Sequence, residues 1–136
     1  MSKVLQGGCL CGFIRYEVTG EPTSSSTCFC RSCRRATGAG SVAWFVVPAE
    51  RYRLLSGQPS QYPSSAPVIR SFCGRCGTSL SYRHRQWPDT IELTTATLDH
   101  PDDIPPREEI WLSHRVGWAM SDPALPHFAE VNPDDG

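Results

Sequence analysis

The sequence predicts an all-β fold with little helix, a sandwich or barrel-like core of short strands. Three observations carry this expectation. Short runs rich in β-branched and aromatic residues recur along the chain. Twelve prolines and eleven glycines are scattered between them and leave no long window of helical periodicity. The seven cysteines fall into three clusters far apart in sequence, which can tie a small β structure together.

The first run, Gly12-Phe13-Ile14-Arg15-Tyr16-Glu17-Val18, sets Phe13, Tyr16 and Val18 against Arg15 and Glu17, although Ile14 breaks the period of two. Gly20-Glu21-Pro22 turns the chain. Further strand signals are Ser41 to Val47, Val68-Ile69-Arg70-Ser71-Phe72, Ser79-Leu80-Ser81-Tyr82, Thr90-Ile91-Glu92-Leu93-Thr94 and Ile110-Trp111-Leu112. Residues Ser56 to Pro67, opening on Ser56-Gly57-Gln58-Pro59, read as a turn-rich loop. Asp99 to Glu108 reads as a second loop, in which Pro105-Pro106 excludes a helix. Residues 1–128 are therefore expected to form one β domain and residues 129–136 a polar C-terminal tail. Phe13, Tyr16, Trp44, Phe45, Phe72, Tyr82, Trp111 and Phe128 read as core, and Trp87 and Trp118 as neighbours of loops.

The net charge of −1 gives no case for nucleic acid or an anionic membrane surface as partner. The longest apolar run, Val42 to Val47, falls far short of the roughly 18 residues needed to span a bilayer. The start has no apolar signal region. A reducing, cytoplasmic setting is therefore expected, where clustered cysteines read as metal ligands rather than disulfides.

The densest cluster is Cys28-Phe29-Cys30-Arg31-Ser32-Cys33-Arg34-Arg35, flanked by Cys9-Leu10-Cys11 and Cys73-Gly74-Arg75-Cys76-Gly77. A closed zinc site takes four protein ligands, and a catalytic site commonly takes three and leaves one position for water or substrate. Seven cysteines match one site of each kind. The last cluster is a zinc knuckle, with Gly74 and Gly77 at positions where a positive φ costs little. Pairing it with Cys9 and Cys11 leaves Cys28, Cys30 and Cys33 as a local triple. Spacing alone leaves other partitions open, such as Cys28 and Cys30 with the knuckle, or an iron–sulfur cluster. It also leaves open a purely structural triple completed by His84, His100, His114 or His127, and a redox dithiol at Cys28 and Cys30. Arg31, Arg34 and Arg35 crowd the triple, where they either offset thiolate charge or hold carboxylates of an anionic thiol ligand. Arg75 reads as a charge offset. Trp44 reads first as core and second as a pocket wall. No Ser-His-Asp order, phosphate-binding glycine loop or carboxylate pair stands out.

Four stretches together resemble the glutathione-dependent formaldehyde-activating enzyme family, which includes centromere protein V. They are Gly8-Cys9-Leu10-Cys11-Gly12 with Arg15-Tyr16, then Cys28-x-Cys30-x-x-Cys33-Arg34, then Phe72-Cys73-x-x-Cys76-Gly77-Thr78, and the late residues Ile110-Trp111, Ser113, Trp118 and Leu125-Pro126-His127-Phe128. The resemblance covers about residues 5 to 128. It implies a zinc-stabilised β-tent fold of short antiparallel sheets with two Zn²⁺ per chain. A structural zinc would be held by Cys9, Cys11, Cys73 and Cys76, and a catalytic zinc by Cys28, Cys30 and Cys33. It further implies a carbon–sulfur lyase whose reverse reaction joins glutathione and formaldehyde into S-hydroxymethylglutathione, with Arg34, Arg35 and Trp44 as candidate substrate contacts. Phe29 stands where relatives often carry His, and Gly117 where Pro is common. The expected partners are a small thiol such as glutathione and a small aldehyde. The rival expectation is a non-catalytic zinc module that binds a thiol ligand or a protein.

Overall fold

The computed structural model describes residues 3–135. Met1, Ser2 and Gly136, the outer ends of the expected domain and tail, lie outside the described residues. Strands β1 (Val4–Gly8), β2 (Arg15–Thr19) and β5 (Tyr52–Ser56) form a three-stranded antiparallel sheet in the order β1-β2-β5. The larger sheet joins β3 (Ser24–Cys28), β4 (Val42–Pro48), β6 (Ser60–Ser65), β7 (Val68–Phe72), β8 (Ser79–His84), β9 (Thr90–Thr94) and β10 (Glu108–Ile110). Its order is β10-β3-β4-β9-β8-β7-β6, and each pairing is antiparallel except β10 with β3, which is parallel. A single α-helix among the described residues, α1 (Arg31–Thr37), connects β3 to β4.

Alternation gives the large sheet two different faces. Phe45 pairs with Leu93 and Val47 with Ile91, and all four point into the main core. There they meet Leu5, Tyr16 and Val18 of the small sheet, together with Leu98 and Ile104. A fully buried side chain of this size contributes about 1.5–3 kcal/mol, so this face holds the domain together. The opposite face carries a smaller cluster of Cys28, Cys33, Val42 and Trp44, with half-buried Tyr82, Ile110 and Trp111 packed against it.

Several elements differ from the sequence expectation for local reasons. The strand expected from Gly12 is β2 and starts at Arg15, because Gly12 takes a φ of 81° and the Cys9 N–H bonds the Ile14 carbonyl, closing a turn. The Ser56–Pro67 stretch is not only a loop: Ser60–Ser65 adds the outer strand β6, an exposed edge with Pro63 beside a register shift. Polar β3 was not foreseen, nor were β1 and β5. In β3, Ser25 and Ser26 are both buried, and the Ser25 hydroxyl donates to the Pro105 carbonyl. The Ile110–Leu112 run splits. β10 ends at Ile110, Trp111 takes a left-handed φ of 60°, and a 3₁₀ turn follows at Leu112–His114. The Ala129 and Glu130 carbonyls accept from Ser113 and Trp111 N–H groups, tying the start of the C-terminal tail to this turn.

Candidate metal centres

The first centre brings Cys9 and Cys11 against Cys73 and Cys76, with all four Sγ atoms within 4.8 Å of one another. Two tight turns do this. Gly77, with a φ of 82°, lets its N–H bond the Cys73 carbonyl, and Gly12 does the same for the Cys9 carbonyl. Gly74 takes no positive φ, and a Cβ there would stand 2.6 Å from the Ser60 Oγ, which would have to rotate away. Backbone N–H groups of Ile14 and Arg75 donate to the sulfurs of Cys9 and Cys73, at 3.2 and 3.4 Å. The Cys76 sulfur and the Thr78 hydroxyl are 3.2 Å apart. That hydroxyl, followed by the Thr78 N–H, pulls the Cys76 thiol down to about 5. Phe13 N–H favours ionised Cys11, but desolvation and the neighbouring thiols push it up to about 11. Four adjacent thiols cannot all ionise without a cation among them. The spacing fits zinc: sulfurs bound tetrahedrally at about 2.3 Å stand about 3.8 Å apart, and the Cys9–Cys11 and Cys11–Cys73 separations are 3.6 and 3.8 Å. Arg75 stacks its guanidinium 4.1 Å from the centre of the Phe13 ring.

The second centre is the triple. Cys28 ends β3, Cys30 caps α1, and Cys33 lies in the first turn of that helix. Their Sγ atoms lie within 4.8 Å of one another, and Cys30 Sγ accepts from the Cys33 N–H at 3.3 Å. Hydrogen bonds from the Cys28 and Cys33 thiols hold Cys30 well below its ordinary value, and the same Cys30 bond pushes Cys28 far up. No histidine joins either sulfur cluster among the described residues. His114 instead accepts from the Arg31 N–H through Nδ1 at 3.4 Å and stacks on Trp111, with ring centres 4.8 Å apart.

The structure places the neighbouring side chains differently from the sequence order. Arg31 and Arg35 are exposed, and Arg34 is half-buried with its Nε lacking a hydrogen-bond partner among the described residues. The arginine that meets the sulfurs is Arg70, from β7. It is 8% exposed, and its Nη1 and Nη2 lie 3.8 and 3.7 Å from Cys33 Sγ. Its Nε donates to the Ser64 hydroxyl at 3.3 Å, and its guanidinium lies 5.1 Å from the centre of the Tyr82 ring. Tyr82 in turn meets Trp44 edge-on at 6.2 Å. Trp44 is buried, and its Nε1–H has no hydrogen-bond partner among the described residues. In register, Arg70 pairs with Tyr82 and Tyr82 with Glu92. Burial pushes the Glu92 carboxyl up to about 7, against the pull of Arg70 and helped by Cys30. The only sequence signal for Arg70 and Glu92 was a charged residue inside an otherwise apolar strand.

A cavity of about 380 Å³ runs from Ala36 and Thr37 at the end of α1 to Cys76 and Thr78, and none of the triple cysteines lines it. No helix among the described residues is long and apolar enough to cross a membrane.

A family model described as glutathione-dependent formaldehyde-activating enzyme matches residues 4–114. A Halomonas elongata protein named "Putative glutathione-dependent formaldehyde-activating enzyme" is 27% identical over 126 residues, spanning 85% of this chain and 79% of its own length. A crystal structure of a Rhodobacter sphaeroides protein aligns with a TM-score of 0.60 at 20% identity, over 90% of this chain and 98% of that one, a likeness of fold.

Proposed function

Because the chain belongs to the glutathione-dependent formaldehyde-activating enzyme family, we propose that it forms or cleaves the adduct between a glutathione-like thiol and formaldehyde or a related small aldehyde, as a carbon–sulfur lyase. The observation that supports this reading most is the unequal division of the cysteines: four gather in one cluster, and three in another beside a buried arginine. In this reading Cys9, Cys11, Cys73 and Cys76 hold a structural zinc, and Cys28, Cys30 and Cys33 hold the catalytic one. A zinc ion held by three thiolates keeps a substrate thiol deprotonated near neutral pH while leaving its sulfur nucleophilic.

The remaining work falls to side chains. Arg70 balances thiolate charge from inside the sheet. Trp44 offers its Nε1–H to an acceptor on the bound thiol compound, and a buried donor left unpaired costs about 1–3 kcal/mol. Half-buried Arg34 and exposed Arg35, both on α1, are the candidates to receive glutathione carboxylates. Holding thiol and aldehyde in one geometry supplies much of the rate. The setting is a reducing, cytoplasmic one, in which the thiols stay available to metal.

The test is a glutathione titration of the zinc-loaded protein, paired with the rate of adduct formation followed by exchange NMR. Saturable binding and faster adduct formation are expected. Binding without acceleration would leave a non-catalytic thiol-binding module, and neither would contradict the proposal outright.

A further inference from the structure

Resting on that reading, we propose that Glu92 is the proton carrier of the site: its carboxylate takes the proton of the incoming thiol and returns it to the aldehyde oxygen. The placement comes from strand register. Arg70, Tyr82 and Glu92 form one cross-strand row, and Glu92 continues to Val46 of β4. Val46 is two residues from Trp44 on the same face, the face of Cys28. Glu92 therefore lies on the side of the sheet that carries the triple, one strand beyond the tyrosine that Arg70 covers.

The groups facing it define its chemistry. From β7 comes Arg70, whose Nη atoms are engaged by Cys33 Sγ. From β8 comes Tyr82, whose hydroxyl burial pushes up to about 12, so it keeps its proton. From the α1 cap comes Cys30, whose negative charge disfavours an ionised Glu92. From β4 come Val46 and Trp44, which carry no charge. Among the described residues no hydrogen bond or ion pair fixes the Glu92 carboxyl in place. Its charge is thus free to change during the reaction.

Charge balance makes that change necessary. Three thiolates around a divalent cation leave one negative charge, which Arg70 offsets. A substrate bound as thiolate adds another negative charge, and an ionised carboxylate in the same half-buried site adds a further one. In a poorly solvated site such like charges are costly, so the proton given up by the thiol is best retained nearby.

The steps balance. The S–H bond breaks, sulfur keeps the electron pair, and the proton goes to the Glu92 carboxylate. A sulfur electron pair then forms the C–S bond to the aldehyde carbon. The C=O π pair moves onto oxygen, which takes the proton back from Glu92. The carboxylate is regenerated, and cleavage of the adduct runs through the same steps in reverse.

The experiment is calorimetric titration of zinc-loaded protein with glutathione at pH 8, in buffers of different ionisation enthalpy. Wild type is expected to bind while releasing few protons, whereas Glu92→Gln releases about one proton per thiol bound and forms adduct about 10²-fold more slowly. Glu92→Asp should restore proton retention. Equal proton release by wild type and Glu92→Gln overturns the inference. A second readout needs no variant: infrared difference spectra of wild type should show a carboxyl becoming protonated when glutathione binds, and absence of that band overturns it too. If wild type binds no glutathione at all, the underlying functional reading fails and this inference falls with it.

Discussion

Arg70 and Cys33 stand 37 positions apart in sequence, yet both terminal nitrogens of the guanidinium face the Cys33 sulfur, at 3.8 and 3.7 Å. With Arg70 in place, one thiolate of the set is offset before any ligand arrives. Replacing it with alanine leaves that charge uncompensated in a buried site.

Arg70→Ala should therefore weaken metal binding at the triple by about 10–100-fold, as loss of a group supporting a ligand does, and leave the Cys9/Cys11/Cys73/Cys76 centre unchanged. Chelator competition with two resolved phases measures this. Arg70→Lys should recover part of the loss. Equal weakening of both phases would mean that Arg70 acts through the fold and not through Cys33.

Glu92 gives a pH signature that needs no substrate. Its carboxyl ionises near 4.3 when unfolded and is pushed up to about 7 by burial when folded. Between those values the folded state holds a proton that the unfolded chain has lost. Stability is thus full below about 4.3 and falls as pH rises towards 7, by up to about 3 kcal/mol. Glu92→Gln removes this slope. In denaturant melts of wild type and variant at matched pH, the variant should gain relative stability from about pH 5 to 7 and level off above that. A constant difference would show that the carboxyl is solvated.

Trp44→Phe keeps an aromatic ring beside Tyr82 but removes the unpartnered Nε1–H. Metal content should stay the same. Glutathione affinity should fall about fivefold, the value of one hydrogen bond of about 1 kcal/mol. Unchanged affinity would remove Trp44 from the binding site.

Gly77 tests the turn of the first centre. Its φ of 82° is strained for any side chain, although a Cβ there would meet nothing within 4 Å. Gly77→Ala should cost about 1–2 kcal/mol, seen as a lower melting temperature with the metal count retained. A count reduced by one at unchanged stability would contradict a purely conformational role.

Much of this arrangement was legible in the chain because it is local. Cysteine spacing marked the knuckle and the triple, and apolar runs marked β4, β7 and β9. What escaped depends on contacts between distant segments. β3 reads Ser-Ser-Ser-Thr-Cys and becomes a strand through β4 and β10 on either side. β6 is polar and exposed, held by pairing with β7 alone. α1 is only 7 residues long, too short for a period, and is set by the Cys30 cap and by Gly38 at φ 69°. Arg70 and Glu92 carry no motif; register across β7, β8 and β9 sets both on one face of the sheet, where Arg70 meets Cys33.

The division of labour between the two sulfur clusters is best tested by counting zinc per chain in wild type, Cys30→Ser and Cys73→Ser, alongside their thermal melts. About two ions are expected per wild-type chain and about one for a still cooperatively folded Cys30→Ser, with Cys73→Ser losing the cooperative melt as structural-site variants do. If Cys30→Ser and Cys73→Ser unfold alike, or if the wild-type count is one, the four-plus-three partition is wrong.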